Sequence, residues 1–113
     1  MKVLTIDVAS REQVNERFEQ AASGNPQGDH LTFPSLELLH KLLNPRRIRI
    51  LQAIQEWGPI GTRKLARRLE QDPGNLVRDL RPLREWGIVE DTERGLDIPY
   101  DEIRLEVVIG RAA

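Results

Sequence analysis

Cysteine is absent from this chain of 113 residues, which excludes a disulfide framework and a thiolate metal centre. Histidine occurs only at His30 and His40, too few for an imidazole cluster, so neither a metal nor a cofactor is expected. Apolar residues never run for the roughly 18 positions a membrane span needs. The opening MKVLTIDVAS interrupts its short apolar run at Asp7 and lacks a small-residue cleavage site, so neither a membrane partner nor a secretory signal is expected. A cytoplasmic setting is the default. GxSxG, HExxH, P-loop and dinucleotide fingerprints are also missing, and the chain is not expected to be an enzyme.

What is present is one core's worth of apolar residues, 39% of the chain, alongside 31% charged residues. A second independent core does not fit this length. The net charge of −1 is segregated: residues 1–40 carry −3, residues 41–87 carry +6 and residues 88–113 carry −4. Indiscriminate nucleic-acid binders are basic throughout, because their affinity comes from counterion release. One basic stretch on a near-neutral chain fits selective docking better, with a solvated helical surface as the alternative.

VLTIDV, residues 3–8, is β-branched and apolar and predicts a strand. Ser10 and Gln13 then form a capping pair for an amphipathic helix reaching about Ser23, and GNPQGD at 24–29 breaks the chain before a short extended run at 31–33. From Ser35 a helix is expected with Leu36, Leu39, Leu42 and Leu43 on one side. Asn44 and Pro45 form an N-cap and N1 pair for the next helix, with Ile48, Leu51, Ala53 and Ile54 as its buried stripe. Trp57 closes that helix, with Gly58 expected in the left-handed C′ position and Pro59 preventing continuation.

The stretch from Gly61 to Gly87 predicts helix, tight turn, helix. Gly61 or Thr62 caps the first; with Leu65 and Leu69 inward, Arg63, Lys64 and Arg67 point outward. Asp72 before Pro73 starts the second, on which Leu76, Leu80 and Leu83 share one face while Gly74, Asn75, Arg78 and Arg81 lie opposite. Pro82 removes a hydrogen bond to the Arg78 carbonyl, yet the leucines continue through it, so the helix is expected to survive. Residues 88–91 then predict a strand, TERG at 92–95 a turn, and the alternating IRLEVVI at 103–109 the returning strand. The segment LDIPYDE between them receives no assignment. EWG recurs at 56–58 and 85–87 and marks two similar helix ends, with Trp57 and Trp86 expected in the core or at a subunit contact.

LARRLEQDPGNLVRDLRPLREWGIVE resembles the winged-helix regulators of the MarR and ArsR type, in which Leu-Ala-x-x-Leu opens the motif and Leu-x-x-x-Gly ends the second helix before the wing. FPSLELL at 33–39, Pro45 to Arg47, Asn75 to Asp79 and Pro99 to Ile103, in that order, are also similar to a family of small archaeal and bacterial winged-helix DNA-binding proteins, over roughly residues 31–109. Pro82 and Gly74 depart from that family's pattern. The resemblance implies a transcriptional regulator and, for some members, an antitoxin that neutralises a cognate toxin and autoregulates its operon.

The expected fold is therefore α+β, a winged helix-turn-helix at 31–113 preceded by a strand-helix extension at 1–30 for dimer or partner contact. The expected function is a sequence-specific DNA-binding repressor, a homodimer on a palindromic operator in double-stranded DNA; the alternative is the antitoxin, with a toxin protein as partner. Asn75, Arg78 and Arg81, with Gly74 beside them, are assigned to base edges, because Asn suits adenine and Arg suits guanine. Arg78 could instead pair with Asp79 or Glu85, and Asp79 reads as a structural acid holding a neighbouring arginine. Thr62, Arg63, Lys64 and Arg67 are assigned to phosphates and Arg94 at the wing turn to a phosphate or minor groove, against the alternative of a solvated basic surface. Arg46, Arg47 and Arg49 sit in a helix's first turn, where the macrodipole disfavours cations. They call for a nearby anion: a phosphate, a partner's acidic surface, or an acid of the same chain.

Overall fold

The computed structural model describes residues 1–9 and 29–109, and shows a small α+β fold with four helices among those residues. The expected helix at 10–23 and the turn at 24–28 lie outside them. In chain order the elements are β1 (Val3–Val8), β2 (Asp29–Phe33), α1 (Leu36–Leu42), α2 (Pro45–Trp57), α3 (Thr62–Arg68), α4 (Pro73–Glu85), β3 (Glu90–Thr92), β4 (Gly95–Asp97) and β5 (Glu102–Glu106). No helix among the described residues is long and apolar enough to cross a membrane.

These elements group into two compact units, one made of residues 1–41 and 102–113, the other of Leu42–Asp101. The grouping places 31–41 and β5 with the N-terminal strand. In the first unit β1 is the central strand of a parallel sheet ordered β2-β1-β5. Leu4 and Ile6 are buried and pair in register with Ile103 and Leu105, so the apolar residues of both strands share a face. Asp7 is buried on the opposite face, where it accepts a hydrogen bond from Thr32 Oγ1 at 2.8 Å and lies 3.6 Å from His30 Nδ1.

The second unit is a contiguous stretch. Asn44 caps α2 as its sequence demands, its side chain accepting from Arg47 N, and Pro45 occupies N1. Ile50, Leu51, Ala53 and Ile54 form the buried stripe, with Ile48 only half-buried, so the stripe lies one step round from the expected one. On α3, Leu65 and Ala66 are buried and Leu69 is half-buried; on α4, Leu76, Leu80 and Leu83 are completely buried. Each such leucine contributes about 1.5–3 kcal/mol through burial. Pro82 lies inside α4 and the helix continues past it, as expected.

Two corrections concern helix ends. Gly58 is not left-handed: its φ of −71° and ψ of 157° are extended. Glycine is required there for space, because a Cβ would lie 2.5 Å from the Ile54 carbonyl oxygen. Gly87, with φ 75°, does adopt the left-handed C′ position, and Ile88 N donates to Leu83 O at 2.9 Å in a Schellman closure. The two EWG ends are thus physically different. Trp86 is 52% exposed rather than in the core, as is Leu36 at 51%, while Trp57 is half-buried beneath the Arg68 guanidinium, 4.9 Å from the ring centroid.

The C-terminal ribbon also differs from expectation. The partner of β3 is β4 within the unassigned segment, not 103–109: Glu90 pairs with Asp97 and Thr92 with Gly95 in an antiparallel hairpin. The strand at 103–109 is shorter, ending at Glu106, and runs parallel to β1 instead. Ile88 and Val89, expected in the strand, are buried residues leading into it. Backbone hydrogen bonds between Ile60 and Leu96, at 3.0 and 2.8 Å, tie the hairpin to the segment before α3. Gly95 is needed for that approach, since a Cβ would come within 2.5 Å of the Ile60 carbonyl carbon.

Candidate nucleic-acid interface

The outward faces of α3 and α4 are basic because the helical period puts their leucines on the other side. Arg63, Lys64 and Arg67 are exposed on α3, with Thr62 half-buried at its first position. Gly61 caps α3 without a side-chain hydrogen bond, and no acidic residue sits in its first turn. The turn that follows is fixed by backbone geometry: Glu70 adopts φ 53° and Gln71 N donates to Ala66 O at 2.9 Å.

On α4, Gly74, Asn75, Arg78 and Arg81 are all exposed. The Asp72 carboxylate caps the helix by accepting from Asn75 N at 3.1 Å. Arg78 donates to Asn75 Oδ1 at 3.3 Å, so its neighbour is an amide and not Asp79 or Glu85. Arg94 is exposed in the β3–β4 turn, which is closed by Thr92 Oγ1 donating to Gly95 O at 2.8 Å. Arg84 joins the end of α4 to the ribbon through Asp91, at 3.1 Å. Among the described residues, Arg63, Lys64, Arg67, Arg78, Arg81 and Arg94 form no ion pair.

Beneath this face lies a polar cluster that sequence reasoning located only in part. Asp79 is buried, and Arg46 grips it bidentately, through Nε at 2.7 Å and Nη2 at 2.8 Å. Arg47 Nε donates to the same carboxylate at 3.1 Å and Gln71 Nε2 at 3.1 Å. Arg47 also donates to Leu42 O at 3.0 Å. Arg46 and Arg47 hold an acid of the same chain, and Arg49 is exposed. The hydrogen bonds from Arg46 hold the Asp79 carboxyl down at about 2, against the opposing effect of burial and with help from Arg47 and Gln71. The same contact raises the pKa of Arg46.

Arg46, Arg47, Gln71, Asn75, Arg78 and Asp79 line a depression of about 410 Å³. Two guanidiniums on one carboxylate leave the cluster with surplus positive charge, next to Asn75 and Arg78. The depression therefore suits an anionic or hydrogen-bonding ligand. Gln71 was missed as a member because turn residues carry no periodic signal. Asp79 did carry one, since an acid three residues after Leu76 and one before Leu80 falls in the buried stripe and requires an internal cation.

Residues 42–105, more than half of the chain, match the sequence model of the HVO_A0114 family. The chain belongs to the HVO_A0114 family. The HVO_A0114 match begins with the first residue of the second unit and takes in the Arg46–Asp79 cluster, both basic helix faces, the β3–β4 ribbon and most of β5. No curated protein matches the chain.

Proposed function

We propose that α3, its turn and α4 act as a helix-turn-helix within a winged-helix fold, and that the protein is a sequence-specific DNA-binding transcriptional regulator. The observation that supports this reading is the set of arginines on the outward faces of α3 and α4 that hold no acid among the described residues, while Arg46 and Arg47 beneath share the Asp79 carboxylate. In this reading α4 enters the major groove with Asn75, Arg78 and Arg81 toward base edges. Arg63, Lys64 and Arg67 hold phosphates from α3, and Arg94 reaches the backbone or minor groove from the β3–β4 wing. One such helix reads only a few base pairs. A homodimer would place two in half-sites ~34–36 Å apart on a palindromic operator.

Fluorescence anisotropy with the chain's own promoter fragment and a random duplex, titrated across salt, tests this. The expected result is preferential binding to the promoter, weakening with a log-log slope of about −0.9 per phosphate contacted. Equal affinity for both duplexes at every salt concentration would refute it.

A further inference from the structure

The homodimer proposed above needs an interface, and β5 carries one that can be specified to the residue. Glu102 donates its amide toward β1, to Lys2 O at 3.4 Å. Along a parallel ladder the backbone groups of alternate residues turn to the same neighbour. Glu102, Arg104 and Glu106 therefore direct theirs to β1, and Ile103 and Leu105 direct theirs to the open side. Among the described residues no strand pairs there, since the sheet order is β2-β1-β5.

The side chains beside that edge are apolar and uncovered. Leu105 is 44% exposed, Val107 45% and Ile109 95%, although the register partners of Ile103 and Leu105 on β1, Leu4 and Ile6, are buried. An exposed apolar edge is a template for a further strand.

We infer that β5 pairs antiparallel with β5 of a second copy, about a two-fold axis through Leu105, joining the sheets of two subunits into one of six strands. Leu105 then faces its own counterpart, and Ile103 faces Val107 of the partner subunit. On the other face Arg104 stands opposite Glu106 of the partner subunit, and the symmetry makes that ion pair twice. Leu105 becomes a hydrogen-bonded pair because its amide points outward. The Arg104–Glu106 pairs then fall at the non-hydrogen-bonded sites, where side chains approach more closely. Neighbouring registers lose this match: an axis at Ile103 sets Leu105 against Asp101, and one at Val107 sets Glu106 against Val108. One register satisfies both faces.

Sedimentation equilibrium of the full chain and three variants tests the pairing. Arg104→Glu alone and Glu106→Arg alone each convert two attractions into two repulsions and should weaken dimerisation about tenfold to a hundredfold. The double variant R104E/E106R restores the pairs and should dimerise within about threefold of the original. Because the chain has no cysteine, L105C under oxidising conditions should give a covalent dimer, whereas E106C, which faces an arginine, should not. A dimer indifferent to both single swaps would overturn the β5 pairing and leave the dimer reading standing. A chain that stays monomeric throughout would overturn both, and promoter binding would still be read separately by anisotropy.

Discussion

Arg46 and Arg78 line the same depression, yet one grips a buried carboxylate and the other reaches only an exposed amide. Residue type and local charge do not distinguish them; the three-dimensional neighbourhood does. Arg46 and Arg47 are consumed in joining the start of α2 to the middle of α4 through Asp79, with Gln71 of the intervening turn as a fourth member. Among the described residues Arg63, Arg67, Arg78 and Arg81 have no such acid and remain available. Basic residues in one short stretch thus divide into those that build the surface and those that can act from it.

That division can be broken most forcefully at Asp79. Asp79→Ala leaves two guanidiniums facing each other across a lost anion and should destabilise the fold by about 3 kcal/mol, read as a lower urea midpoint at unchanged slope. If instead Arg67→Ala proved the more destabilising, the assignment of structural and free cations would be reversed.

Acid titration sharpens the same point. The folded carboxyl is held at about 2, below its ordinary 3.8, so its contribution is complete only above about pH 5 and is lost as pH falls through about 2. The expected loss is about 2 kcal/mol, and it should be missing in Asp79→Asn.

On the free side of the comparison, Arg78→Ala should cost about 1–3 kcal/mol of promoter binding and relax base preference without lowering stability. Arg63→Ala and Arg67→Ala should weaken all duplexes alike, each reducing the salt slope by about 1. The same anisotropy titration separates these outcomes, and identical behaviour of all three variants would remove the distinction between base and phosphate contacts. The smallest effect is expected at Glu70, whose φ of 53° is unfavourable for any residue with a side chain. Glu70→Gly should raise stability by roughly 0.5 kcal/mol in the same urea assay.

Local signals carried the helices well. The Asn44–Pro45 and Asp72–Pro73 pairs announced the starts of α2 and α4, and both side chains cap as their chemistry requires. The leucine stripe of α4 was visible for the same reason, since helical period is a local property. Strand pairing is not local, and there the sequence misled. Residues 103–109 alternate as any half-covered strand does, but alternation does not name the neighbour, which turned out to be β1 and not β3. The brevity of β3 and β4 hid the true hairpin, because three residues are too few for a period to emerge. In the candidate interface, the outward residues were legible by rotation alone. The cluster beneath them was not, apart from the single acid in the stripe, because its members come from a helix start, a turn and a helix middle.

The strand order has one consequence for how the chain is made. β1 leaves the ribosome well before β5, with the whole of Leu42–Asp101 made between them, yet Val3 and Glu102 are side by side in the finished sheet. The unit at Leu42–Asp101 is contiguous and can close as soon as it is synthesised. β1 must wait for β5 through the whole of that interval, so the sheet's last ladder forms after the basic helices are already in place.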